Sequence, residues 1–258
     1  MRAIAFLAIG VFSLQQTAIA QRSEADVLYV GGTVQSGTDV GAGGGEIEWV
    51  RTASPGTTVM LGGSTTSFSD LWWSYGTVAG SMRRSRLVYA GRVSLGAGRW
   101  NRGNFPYTQY AGGATIPLGR GFYGESEVQH VRMAGSTVTV FQLGTTYSVP
   151  SGMSVKLAYH VAPWDSTRTQ AVSARGDVRL GRFTVLSGIV ATARQSSPTN
   201  IRALDVTTRI APEYFGGCTM PVAAASTVTV SAQVVPQPAG RLVRLLMTLK
   251  HPLGTNRP

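Results

Sequence analysis

The sequence predicts an all-β chain that closes as a single antiparallel transmembrane β-barrel of about fourteen strands, behind a cleaved signal peptide. Three observations carry this expectation. The N-terminus has the order of an export signal. The rest of the chain alternates apolar and polar residues with period two. Turn-like connections separate the alternating segments at regular spacing.

The export pattern comes first in the chain. Arg2 supplies a basic start, and Ala3 to Leu14 is a mostly apolar run. Ala18-Ile19-Ala20 is a small-x-small site ahead of Gln21. That order predicts a signal peptide over 1–20 and a mature barrel domain over 21–258. The apolar run is too short for a membrane-spanning helix, which needs roughly 20 residues. No cysteine follows the cleavage site, which argues against a lipid-modified N-terminus.

The strands follow in order. Met153, Val155, Leu157, Tyr159 and Val161 fall on one face, with Ser154, Lys156, Ala158 and His160 on the other. Successive side chains of a strand point to opposite faces, so this is a strand with one apolar and one polar face. The same alternation marks Thr137 to Val149, Gln170 to Leu180, Thr227 to Val234 and the stretch around Val243 to Leu249. The predicted spans are 27–36, 43–53, 57–66, 73–83, 86–97, 105–118, 121–132, 136–149, 152–162, 169–180, 182–193, 201–211, 224–234 and 241–250. Segments of roughly ten residues suit tilted strands crossing a bilayer. The third, fourth, eleventh and twelfth are the least patterned, so twelve strands is the alternative count.

Connections add a second line of argument. Ser54-Pro55-Gly56, Gly119-Arg120, Pro150-Ser151 and Gly181 predict tight turns after even-numbered strands. Connections after odd-numbered strands read as longer: Gly37 to Ala42, Ser67 to Trp72, Gly98 to Asn104, Ala162 to Arg168 and Arg194 to Asn200. Short periplasmic turns alternating with longer outer loops are a property of outer-membrane barrels. Two connections depart from the scheme: Met133 to Gly135 is short, and Pro212 to Val222, with Cys218, is long. Aromatic residues near strand ends, among them Trp72, Trp73, Tyr75, Phe105, Tyr107, Phe122 and Phe183, predict interfacial girdles. A soluble β-sandwich is the competing fold. Its exposed face would carry more charge than the 14% found here, and glycine inside strands would weaken it.

Charge narrows the partners. The chain carries a net +11, and loss of Arg2 with the signal peptide leaves 11 − 1 = +10. The positive residues are scattered singly along the strands instead of forming a run, which favours lumen and rim positions over a nucleic-acid arm. Cys218 is the only cysteine, so no disulfide forms within the chain. If the apolar face meets lipid, the other face lines the lumen. The candidate lumen-lining residues are Glu46, Glu48, Arg92, Glu125, Glu127, Lys156, His160, Arg175, Asp177, Arg179 and Arg244. Their mixed signs allow pairing across a narrow lumen, or a transverse field in an open pore.

No catalytic or metal site is predicted. Ser126 and His130 lie more than ~13 Å apart along a strand, too far for a nucleophile and its base. His130, His160 and His251 lack metal-ligand spacing. Gly41 to Gly45 has no following lysine or helix to make a phosphate loop. No cofactor is expected. His160 could still meet a serine or aspartate from another strand, which keeps a barrel-embedded hydrolase as a minor reading.

The export signal, Tyr29-Val30-Gly31-Gly32, Arg92-Val93-Ser94-Leu95-Gly96 and Pro117-Leu118-Gly119-Arg120-Gly121-Phe122-Tyr123-Gly124 together resemble the YaiO-type family of outer-membrane β-barrels. The resemblance implies a barrel in the cell outer membrane and carries over no catalytic residue. One departure concerns assembly. Outer-membrane barrels usually end on an aromatic residue that acts as an assembly signal, whereas this chain ends Thr255-Asn256-Arg257-Pro258. Outer-membrane lipid and the barrel assembly machinery are the expected partners. A pore or transport barrel is the first functional expectation. An envelope interaction barrel, binding through Gly98 to Asn104 and Ala162 to Arg168, is the second.

Overall fold

Fourteen strands pair in chain order, and the last returns to the first, closing an antiparallel barrel. The computed structural model describes residues 26–36, 41–68, 71–100, 103–133, 135–164, 167–196, 209–223, 225–237 and 240–253. The predicted signal segment lies outside the described residues. The strands are β1 (Asp26–Ser36), β2 (Gly41–Ser54), β3 (Thr57–Phe68), β4 (Leu71–Arg84), β5 (Leu87–Trp100), β6 (Gly103–Gly119) and β7 (Phe122–Met133). They continue as β8 (Ser136–Val149), β9 (Met153–Trp164), β10 (Thr167–Leu180), β11 (Phe183–Ser196), β12 (Arg209–Pro221), β13 (Thr227–Gln237) and β14 (Gly240–Pro252). Closure pairs Val27 with Pro252 through Ser36 with Val243, so neither end strand leaves an open edge.

The exposed face is the apolar one. In β8, Leu143 is 65% exposed, whereas its neighbour Gln142 is 7% exposed. Val78, Leu95, Val172, Leu245 and Met247 repeat the pattern around the wall. A protein folding in water would bury that face. A continuous outer belt of this kind is suited to lipid, where closed pairing satisfies every backbone group.

The opposite face is the concave one. Tyr75 in β4 and Tyr107 in β6 stack with ring centroids 4.9 Å apart. Their strands are separated by β5, roughly twice the ~4.8 Å strand spacing. Rings rooted that far apart meet only if both lean toward the barrel axis. Gly96 of β5 pairs with both tyrosines and leaves the space over which they stack. A Cβ at this position would collide with Ser74 O and Tyr75. Phe105 over Gly98 and Phe215 over Gly188 repeat the device. An inward glycine covered by a cross-strand aromatic lets the sheet curve without leaving a void.

Register sets the size. Following the pairing once around the ring gives a stagger of about fourteen residues, equal to the strand number, so the strands tilt by ~35–40° and the backbone radius is ~13 Å. On the inner wall, Val50, Met60 and Ala79 form a small buried apolar cluster against Tyr29.

Several expectations need correction. The twelfth strand, predicted at 201–211, is Arg209–Pro221, and 201–208 lie outside the described residues. Pro212, Gly216, Gly217 and Pro221 suggest a loop, yet this segment pairs with β11 and β13. Glycine is needed here: a Cβ at Gly217 would press on Val230 O and Ser231. The supposedly long turn carrying Cys218 is therefore wall, and the true connection is 222–226.

The predicted long connections also shrink. Strands run on through Trp100, Gly103, Trp164 and Thr167, leaving only 101–102 and 165–166 between them. β11 likewise runs on through Ser196, and 197–208 lie outside the described residues. Glycine, asparagine and proline suggested loops, but pairing to both neighbours extends the ladder through them.

The turn after β6 is tight as predicted, with a register shift between Pro117 and Gly119. It places Gly119, Arg120 and Gly121 in succession at φ 95, 51 and 83. Left-handed backbone favours glycine, which explains two of the three residues.

Candidate functional site

The candidate site is the inner wall, built from alternate residues of each strand. Its polar side chains link mostly along the wall. Glu125 of β7 forms an ion pair with Lys156 of β9, reaching over β8. Thr146 of β8 donates to Glu125 Oε1 at 2.6 Å, filling the gap beneath the pair. Lys156 is 22% and Glu125 13% exposed at the side chain, so the pair is only partly wetted.

On β10, Arg175 donates from Nη2 and Nε to Asp177 Oδ1 at 3.0 and 3.2 Å. Ser154 of β9 donates to Asp177 Oδ2 at 3.1 Å. His160 Nε2 lies 2.9 Å from Ser173 Oγ on the neighbouring strand. That contact meets the expectation that His160 could find a serine. The orienting carboxylate of a triad is not supplied by Asp177, which Arg175 and Ser154 occupy.

Arg92 of β5 interacts electrostatically with Glu48 of β2 and Glu127 of β7. Glu46 lies beside Glu48 on the same face. Arg92 thus stands between two acidic sectors, from strands three and two positions away. This coupling is the part of the predicted set that reaches furthest around the wall. Beside it, Thr77 and Ser94 hydroxyls are 2.8 Å apart, and Tyr107 Oη donates to Gln109 Oε1 at 2.8 Å. Ser94 and Gln109 are buried.

A third group joins β12, β13 and β14. Gln233 donates to Glu213 Oε2 at 3.0 Å, and Arg244 Nη1 donates to Gln233 Oε1 at 3.4 Å. Glu213 is absent from the sequence-based set because its segment resembles a loop. The alternation of Glu213 and Phe215 against exposed Tyr214 was the signal available. Arg179 sits apart from these groups. It is exposed at the end that holds the turns after even-numbered strands, where its Nε donates to Gly181 O at 3.3 Å.

The aromatics divide. Trp72, Phe122 and Phe183 are exposed on the outer face, whereas Tyr75, Phe105 and Tyr107 turn inward. The girdle reading therefore fails for the three that turn inward. Cys218 pairs in register with Val185 and Val230, both exposed on the outer face, and shares that face. Among the described residues, no group of histidine, cysteine, aspartate or glutamate side chains is arranged to hold a metal ion.

No protein-family profile and no curated protein sequence matches the chain. Solved structures match it well. The CymD monoaromatic hydrocarbon channel superposes with a TM-score of 0.65 at 9% identity, covering 92% of this chain and 90% of that one. A bacterial polysaccharide outer membrane secretin gives 0.62 at 9% identity, over 90% of this chain and 99% of that one. The Pseudomonas putida toluene transporter TodX gives 0.61 at 8% identity, over 90% and 89%. At these identities the likeness concerns architecture: the chain has the closed fourteen-strand fold of outer-membrane β-barrels.

Proposed function

We propose that the chain is an outer-membrane barrel whose interior is a pore or transport path for small solutes, with a wall of mixed charge. The observation that carries the reading is the opposition of faces: an exposed apolar belt outside and hydrogen-bonded polar groups inside one closed wall. Barrels of eight strands are filled by side chains, whereas those of 16–18 leave an aqueous channel, and a backbone radius of ~13 Å leaves room between these limits. Similarity to proteins described as a channel and a transporter supports the same reading.

In this proposal residues 1–20 direct export and are removed. Both ends of the mature chain face the periplasm, and the barrel assembly machinery inserts it. Membership of the YaiO-type family is part of the proposal. It rests on Tyr29 to Gly32 in β1, Arg92 to Gly96 in β5 and the hairpin turn from Pro117 to Gly124. A second reading, a closed interaction barrel, is favoured by the packed sector where Phe105, Tyr107, Ser94 and Gln109 are all buried.

Planar-bilayer recording of refolded protein separates the two. Steady unitary conductance steps support the pore. Electrical silence from a barrel that still migrates in its folded, heat-modifiable form supports the interaction barrel and overturns the pore.

A further inference from the structure

The end of the barrel that holds the turns after even-numbered strands carries an arginine collar that the wall chemistry does not use. Arg51 on β2, Arg84 on β4, and Arg120 and Arg182 in the turns after β6 and β10 are all exposed. Each follows or precedes an outer-face aromatic by a few residues. Trp49 lies two residues below Arg51 on the same face. Phe122 and Phe183, both exposed, lie beside Arg120 and Arg182. Tyr89, also exposed, follows Arg84 across the turn and faces outward from β5. The Arg182 guanidinium sits 5.3 Å from the Phe183 ring centroid.

The spacing has a physical meaning. Aromatic side chains settle at the membrane–water interface. Two residues of strand rise ~7 Å, so a guanidinium set two residues outward from such a ring stands at the level of lipid phosphates. Guanidinium groups bind phosphate oxygens in a bidentate fork. Neutralising acids are scarce at this rim. Among the described residues Asp26 is the acid there, 3.8 Å from Arg51. Glu125 and Asp177, deeper on the inner wall, already hold Lys156 and Arg175.

We propose that this rim is a collar that binds the phosphate headgroups of anionic glycerophospholipids, with the aromatic ring beneath each arginine fixing its depth. The proposal rests on the reading that the barrel spans a membrane, but not on whether its lumen conducts.

The test uses the full mature barrel in phosphatidylcholine vesicles with trace spin-labelled phosphatidylglycerol or phosphatidylcholine. Electron spin resonance gives the relative association of each lipid with the protein. The wild type is expected to prefer phosphatidylglycerol by at least ~3-fold, and the preference should fall in high salt. The variant R51Q/R84Q/R120Q/R182Q should lower the preference well below wild type, with exposed Arg83, Arg86 and Arg179 of the same end holding the remainder, while keeping heat-modifiable migration. A control, R99Q/R132Q, removes two exposed arginines of the opposite rim and should keep most of the preference. A wild type without preference overturns the collar, as does an equal loss per arginine at the two rims. Failure of the protein to enter vesicles at all overturns the membrane reading beneath it.

Discussion

Leu143 and Leu118 offer a test of what the outer face touches. Both are among the most exposed leucines, at 65% and 63%. They differ in depth: Leu143 is at the middle of β8, whereas Leu118 is near the C-terminal end of β6, beside Arg120. In a bilayer, an arginine near the midplane of a barrel's lipid face costs ~2–4 kcal/mol, falling to ~0–1 near the interface. In water, arginine at either exposed site would change stability by no more than about 0.5 kcal/mol. Leu143→Arg is therefore expected to destabilise the barrel by ~2–4 kcal/mol and Leu118→Arg by under ~1. Guanidinium unfolding from phospholipid vesicles, followed by tryptophan fluorescence, measures both. Equal shifts for the two variants, or a stable Leu143→Arg barrel, would refute the assignment of the outer face to lipid.

Three further outcomes follow from the inner wall and the thiol. Lys156→Met leaves Glu125 partly buried beside Glu127, with an expected loss of ~1–3 kcal/mol after allowance for partial wetting; adding Glu125→Gln should recover part of it in a double-mutant cycle on the same unfolding assay. Gly96→Val sets a branched side chain against Ser74 O and the Tyr75–Tyr107 stack. Its expected cost is ~2–4 kcal/mol, whereas Gly91→Val on the outward face of the same strand should cost little, and unfolding midpoints of the two decide it. Cys218 should react with a lipid-soluble maleimide and resist a membrane-impermeant thiol reagent when the barrel is in vesicles. The reverse pattern would place it on the wrong face.

Where alternation is strong, strand and side-chain face were both legible. Ser154, Lys156 and His160 against Val155, Leu157 and Tyr159 determine a strand and its two surfaces, because a strand's side-chain period is two. β12 departs from its expected span because prolines and glycines are local loop signals. Here Gly217 is demanded by the close approach of Val230 and Ser231, a neighbour contact invisible in linear order. The same reason hid Glu213. The connection expected at Gly98 to Asn104 is strand for a related cause: Trp100, Gly103 and Asn104 lack alternation, yet each pairs across the β5–β6 ladder.

The sequence by itself determined an all-β chain of about fourteen alternating strands, and it determined which face is apolar, since both follow from local periodicity. Tertiary structure decided the rest. Closure of β1 on β14 and the stagger of the register come from non-local pairing. So do the wall-hugging bridge of Glu125 to Lys156, the position of Arg92 between two acidic sectors, and the tyrosines stacked over Gly96. Each joins strands that are not neighbours, and only the curvature of a closed barrel brings such residues together.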